Sequence, residues 1–124
     1  MKQCEKMQQD GDIYTRSAEK RYAYTLRQIA GTDRAWCLIN ARGDTVTLDF
    51  PGCSFVCIWP DQNAARRFAL MQGEEGDKPY EITGQELKKQ LTGGEEGVRY
   101  AVYPTEADLW TAAPEELLRD LSAL

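Results

Sequence analysis

The run Cys53-Ser54-Phe55-Val56-Cys57-Ile58-Trp59 is apolar on both faces of an extended chain apart from Ser54, and turn signals bracket it, Pro51-Gly52 before and Pro60 after. A strand that offers no polar face belongs at the centre of a sheet, so the rest of the chain has to be arranged around it. The 124 residues, 42% hydrophobic and 28% charged, make one ordinary globular domain. A chain of this size buries roughly two thirds of its unfolded surface, enough for a core without disulfide staples.

Upstream, Tyr14, Ala18, Tyr22, Leu26 and Ile29 recur at helical spacing, which predicts an amphipathic helix from Ile13 to about Ala30, stopped by Gly31-Thr32-Asp33. Arg34 to Asn40 and Thr45 to Phe50 read as a hairpin around Ala41-Arg42-Gly43-Asp44, with Val46, Leu48 and Phe50 on one face. Downstream, Asp61 is placed to cap a helix from Gln62 to about Gln72 whose stripe is Ala64, Ala65, Phe68, Ala69 and Met71. The segment from Gly73 to Pro79 has the composition of a solvated loop. Thr83-Gly84-Gln85-Glu86 has capping-box spacing and starts a short helix to Leu91. Val98 to Tyr103 alternates as a strand stopped by Pro104, residues 109–112 suit a brief edge strand, and Pro114 opens a final helix with Leu117, Leu118, Leu121 and Leu124 as its stripe.

This order predicts an α+β domain: a mainly antiparallel sheet of four to five strands covered by about four helices as a single pair of layers. Residues 1–11 are polar and read as a flexible leader before a single domain over residues 12–124. The start lacks the apolar stretch of a secretory signal and no run approaches a membrane span, so a cytoplasmic protein is expected.

The net charge is -5, the wrong sign for a phosphate-binding surface, so no nucleic-acid partner is expected. Residues 1–62 carry 8 positive and 8 negative charges and residues 63–124 carry 7 and 12, which puts all the net charge in the second half. Such a half keeps a protein soluble, and it also steers a basic protein partner.

The chain has no histidine, which removes Ser-His-Asp and Cys-His catalysis and mixed His/Cys zinc sites. The four cysteines, Cys4, Cys37, Cys53 and Cys57, contain no CxxC knuckle, so neither a metal nor any other cofactor is expected. Buried reduced thiols are the plain expectation, and a thiol enzyme or redox sensor using Cys37, Cys53 or Cys57 is the alternative. The pairs Glu74-Glu75 and Glu95-Glu96 sit beside glycines, where nothing holds an acid–base geometry.

Several short pieces occur together in order: Arg21-Tyr22-Ala23-Tyr24, Trp36-Cys37-Leu38, Trp59-Pro60 followed by Ala64 or Ala65, Ile82 before a helix with Leu87, Val102-Tyr103-Pro104-Thr105, and Pro114-Glu115-Glu116-Leu117. From Arg21 to Leu121 the chain thereby resembles a bacterial family catalogued as domain of unknown function 2750. The resemblance implies a small stand-alone bacterial protein and brings no activity or catalytic residue with it. The pair Cys53 and Cys57 stands outside the pattern, so a thiol function would be peculiar to this chain.

The remaining signal is aromatic. Trp36 and Trp59 suit the core, whereas Trp110, between Asp108 and Thr111 on a presumed edge, suits partial exposure. Tyr103, Pro104, Glu106, Asp108 and Trp110 are the candidate contact surface, aromatic anchors with an acidic rim, for a protein partner; homodimerisation through the same edge is the alternative. This favours a non-catalytic interaction domain, for instance an immunity-like inhibitor of a basic toxin. A small-ligand pocket between the sheet and the helix 62–72, lined by Arg21 and Trp59, is a further alternative.

Overall fold

The computed structural model describes residues 12–72, 76–94 and 97–124. A 3-10 turn over Asp12–Thr15 leads into α1 (Ala18–Thr32). Strands β1 (Arg34–Ile39), β2 (Thr47–Phe50) and β3 (Cys53–Ile58) follow, then α2 (Gln62–Met71), β4 (Lys78–Thr83), α3 (Gly84–Thr92), β5 (Val98–Val102), β6 (Trp110–Ala112) and α4 (Pro114–Ser122). The class is α+β, with four α-helices among the described residues, as the sequence order predicts.

The strands form a four-stranded sheet of order β2-β3-β5-β6 and a two-stranded β1-β4 pair. Backbone bridges Trp36–Trp59 and Ile39–Thr45 tie the pair to the end of β3 and the approach to β2. The apolar strand β3 lies inside the larger sheet, antiparallel to β2 and parallel to β5, while β5–β6 and β1–β4 are antiparallel. Two outer edges of the larger sheet are left, β2 and β6.

Alternation along the strands sends two sets of side chains to opposite faces. Ala35 and Cys37 of β1, Ile58 of β3, and Tyr100 and Val102 of β5 meet α1, α3 and α4 through Tyr22, Leu26, Leu87 and Leu117. On the other face Leu38, Cys57, Trp59 and Ala101 meet Ala64, Ala65 and Phe68 of α2, with Tyr14 of the 3-10 turn. Helices therefore cover both faces rather than one, which is what a strand apolar on both sides requires and what a single pair of layers does not supply.

Several local expectations are corrected. The helix from Ile13 is broken at Ser17, whose side chain caps α1 by accepting from the Lys20 N–H, so Tyr14 belongs to the separate 3-10 turn. The end of α1 is set by Asp33 rather than Gly31: Asp33 adopts φ 57° and donates its N–H to the Ile29 carbonyl. The hairpin between the first two strands is reduced to the Ile39–Thr45 bridge, because from Thr47 on β2 pairs with β3, while β1 pairs along its other edge with β4. That strand lies partly in the segment expected to be loop and beyond it. Its residues Tyr80, Glu81 and Ile82 alternate too briefly beside Pro79 to declare a strand, and the ladder to β1 creates it. Met71 and Leu124 leave their expected stripes for solvent, as does Phe50, which is 52% exposed. The Asp61 cap, the complete Thr83–Glu86 capping box and Pro114 in the first turn of α4 stand as expected. The leader, Gly73, Glu74, Glu75, Glu95 and Glu96 lie outside the described residues.

Candidate functional site

The segment between β5 and β6 carries most of the residues that the sequence singles out. It begins at Tyr103, which takes φ 51°, a left-handed conformation uncommon for a bulky residue, and donates its N–H to the Ile58 carbonyl at 2.7 Å. Two buried side chains hold that bend by its carbonyls. Arg21 donates Nε to Tyr103 O at 2.9 Å, and Trp59 donates Nε1 to Pro104 O at 3.4 Å.

Arg21 sits on α1 with its residue only 1% exposed. A buried guanidinium is tolerated only when its donors are satisfied, and here the fork is used on several sides. Nη1 donates to Arg16 O at 2.5 Å, and Nη2 to both the carbonyl (3.0 Å) and the carboxylate (2.5 Å) of Asp108. Thr105 closes the loop from within by donating its N–H to Asp108 O at 3.1 Å. Arg21 is thus a clamp on the loop over residues 103–108.

A second tether comes from the 3-10 turn. The Tyr14 hydroxyl donates to the Glu106 carboxylate, and the Arg67 guanidinium of α2 lies 3.6 Å from the centre of the Tyr14 ring. Burial, followed by the hydrogen bond to Glu106, pushes the Tyr14 hydroxyl up to about 12, and the same hydrogen bond holds the exposed Glu106 carboxyl below its usual range.

Trp110 opens the edge strand β6 opposite Val102 and is 37% exposed. Its ring rests on Tyr22 of α1, centroids 5.5 Å apart, and the Tyr22 hydroxyl donates to the Asp120 carboxylate of α4 at 2.6 Å. Burial and then Asp120 push the Tyr22 hydroxyl above its ordinary value. The aromatic ledge is thereby fixed from behind and bordered by acidic groups from β6's approach and from α4.

The five candidate contact residues therefore divide. Glu106, Asp108 and Trp110 reach the surface, the Asp108 side chain being 53% exposed despite its ion pair. Tyr103 and Pro104 are buried and cannot touch a partner; their part is to shape the loop. Asp120 belongs to this surface and is not marked by the sequence, because nothing in its neighbourhood distinguishes it from an ordinary solvated carboxylate, while Tyr22, buried as its helical spacing predicts, supports the Trp110 ring from beneath.

The alternative sites are displaced. Arg21 and Trp59 do come together at the Tyr103–Pro104 bend, but as packed scaffold: Trp59 is fully buried against Phe68, ring centroids 5.2 Å apart. Arg21 borders an open cleft of about 330 Å³ beside Tyr14 and Glu106, away from the sheet–α2 boundary. Cys37 and Cys57 are buried, and burial pushes both thiols up to about 12, the opposite of what a nucleophile needs. Cys53 is half-buried at the start of β3. Among the described residues no cluster of three or more Cys, Asp or Glu is placed to hold a metal, and no helix is long and apolar enough to cross a membrane. No protein-family model matches the chain, and no curated protein matches it as a relative.

Proposed function

We propose that this is a non-catalytic domain that binds a basic protein segment at the face around Trp110. The observation that carries the reading is a tryptophan 37% exposed on an edge strand, braced from behind by Tyr22. Rigid, partly exposed aromatics are the residues that dominate contact energy at interfaces, and a braced ring loses little freedom on binding. Glu106, Asp108 and Asp120 line the rim in the half of the chain that holds all the net charge, and with Arg21 on Asp108 and Arg119 on Asp120 the rim keeps a small negative excess, which favours a cationic partner and speeds its encounter. An inhibitor of a basic toxin is one concrete form. The buried, unpaired thiols Cys37 and Cys57 suit a reducing compartment, so the setting proposed is the cytoplasm of a bacterium.

The test is affinity capture from host lysate on immobilised parent protein, with Trp110→Ala and the double variant Glu106→Gln, Asp120→Asn as controls. A basic protein retained by the parent and lost from the controls supports the reading. A partner retained equally by all of them removes the surface from consideration.

A further inference from the structure

Among the described residues the larger sheet has a second open edge, on the far side from Trp110. At β6 only Trp110–Ala112 are paired, and Pro114 follows. The outer strand of the two-stranded pair, β4, contains Lys78 and Pro79, both of which discourage pairing. Strand β2 has neither Lys nor Pro, and the apolar residues on its α2 side are only partly covered: Leu48 of β2, Val46 just before it and Phe55 of the neighbouring β3 are half-buried, and Phe50 is 52% exposed, edge-on to Phe55 at 5.5 Å.

The direction of the backbone groups on β2 follows from its neighbours. The two-residue turn Pro51-Gly52 makes Phe50 and Cys53 the closing hydrogen-bonded pair, and Val46 donates its N–H inward to the Leu38 carbonyl at 2.8 Å. Residues 46, 48 and 50 therefore point their N–H and C=O groups into the fold, while those of Thr47 and Asp49 point outward, where no described strand pairs with them.

We propose that this edge pairs antiparallel with the same edge of a second copy of the chain, with Leu48 on the two-fold axis. Outward groups must meet outward groups, so a symmetric pairing can centre only on residue 47, 48 or 49. Centring on Asp49 opposes two carboxylates and sets Pro51, which has no N–H, against Thr47. Centring on Thr47 sets Phe50 against Asp44. Centring on Leu48 sets Thr47 against Asp49 on both sides of the axis, each pair exchanging two backbone hydrogen bonds, and sets Phe50 against Val46 of the second copy. No like charges then face each other, and the Asp49 carboxylate is already held on the opposite face by the Thr47 and Ser54 hydroxyls at 2.9 Å.

The same register gives Phe50 a seat. Val46 and Leu48 border a groove of about 430 Å³ with Leu38, Phe68 and Ala69 as the rest of its apolar wall and a polar remainder that includes Arg42, Asp44 and Asp77, roomy enough for an aromatic ring against the apolar wall. Each copy inserts its exposed Phe50 beside Val46 of the other, and the two four-stranded sheets become continuous. The β6 edges stay free at the two outer ends.

The experiment combines sedimentation over a concentration series with cysteine cross-linking in a Cys4→Ser, Cys53→Ser background. The parent chain is expected as a concentration-dependent dimer. Leu48→Cys is expected to give a disulfide-linked dimer under mild oxidation, because facing residues of such a pair have Cα atoms about 4.5 Å apart, within disulfide reach. Thr47→Cys and Asp49→Cys lie diagonally from their copies at about 7–8 Å and are expected to stay unlinked. Phe50→Asp, at an exposed position, is expected to keep its circular dichroism and unfolding midpoint while the dimer weakens at least tenfold. A parent monomeric at every concentration, a cross-link at residue 47 or 49 in place of 48, a dimer indifferent to Phe50→Asp, or a different protein occupying the edge would each overturn the proposal.

Discussion

Arg21 and Asp108 meet across 87 positions of sequence, and the guanidinium takes hold of Asp108 at both its carbonyl and its carboxylate. The two partners are unequally placed: the Arg21 side chain is 2% exposed and that of Asp108 53%. The loop that leads to Trp110 is therefore positioned by a group buried under it rather than by its own composition.

That inequality sets the expected effects of substitution. Arg21→Ala removes the donors to Arg16, Tyr103 and Asp108 together and is expected to cost roughly 3–5 kcal/mol, the scale of a broken buried charged network. Arg21→Lys is expected to recover only part of this, since an ammonium cannot serve the same fork. Asp108→Asn leaves the backbone contacts in place but takes the carboxylate from a guanidinium only 2% exposed, for about 1–3 kcal/mol. Denaturant unfolding of the three variants checks the order; equal losses for Arg21→Ala and Asp108→Asn would contradict it.

Thiol labelling separates the cysteines. With their thiols pushed up to about 12 by burial, Cys37 and Cys57 are protonated at neutral pH and poor nucleophiles. They are expected to react with an alkylating reagent no faster than the protein unfolds, while half-buried Cys53 reacts first. Mass spectrometry of a labelling time course checks this. Rapid modification of Cys37 or Cys57 in the folded protein would bring the thiol-enzyme alternative back.

The raised groups also fix how stability depends on alkaline pH. Cys37 and Cys57 move from 9.0 to about 12, and Tyr14 and Tyr103 from 10.0 to about 12. In each case the unfolded chain loses its proton first, so the stabilisation is complete below pH 9 and drains away as the pH rises through 9 to 12. Unfolding free energies measured between pH 8 and 11 are expected to fall steadily. In Tyr14→Phe the fall is expected to be shallower above pH 10, since one of the contributing groups is gone.

Tyr14→Phe has an acid counterpart at Glu106. The Tyr14 hydroxyl is the first cause of the lowered Glu106 carboxyl, which ordinarily titrates near 4.5. A lowered carboxyl supports the fold above that ordinary value and loses its effect as the pH falls through its folded one. Carboxyl titration by NMR is expected to show Glu106 moving back up toward 4.5 in the variant. An unmoved Glu106 would mean that the tether from the 3-10 turn is absent in solution.

The parts of the fold legible in the sequence are those set by local chemistry. The Asp61 and Thr83 caps, Pro114 in the first turn of α4, and the turns at Pro51-Gly52 and Pro60 need only neighbouring residues to act, and they lie where their side chains predict. Strand β4 was hidden because its identity depends on β1, some forty residues earlier in the chain. Helices on both faces follow from the doubly apolar β3 only once the alternation of β1 and β5 is also counted. At the site, the exposure of Trp110 was readable from its flanking Asp108 and Thr111 and its place on an edge. The burial of Tyr103 and Pro104 was not, because it comes from the long-range grip of Arg21 and Trp59 on their carbonyls.

The most direct measurement is the affinity of the captured basic partner for the parent protein and for Trp110→Ala, each at low and at physiological salt. The Trp110 ring is 37% exposed and rests on Tyr22, and the substitution leaves the backbone ladder of β6 in place, so the variant is expected to stay folded while its affinity drops by about 2 kcal/mol, roughly thirtyfold. Binding of the parent is expected to weaken as salt screens the acidic rim. A Trp110→Ala protein that is folded and binds the partner as tightly as the parent would contradict the account.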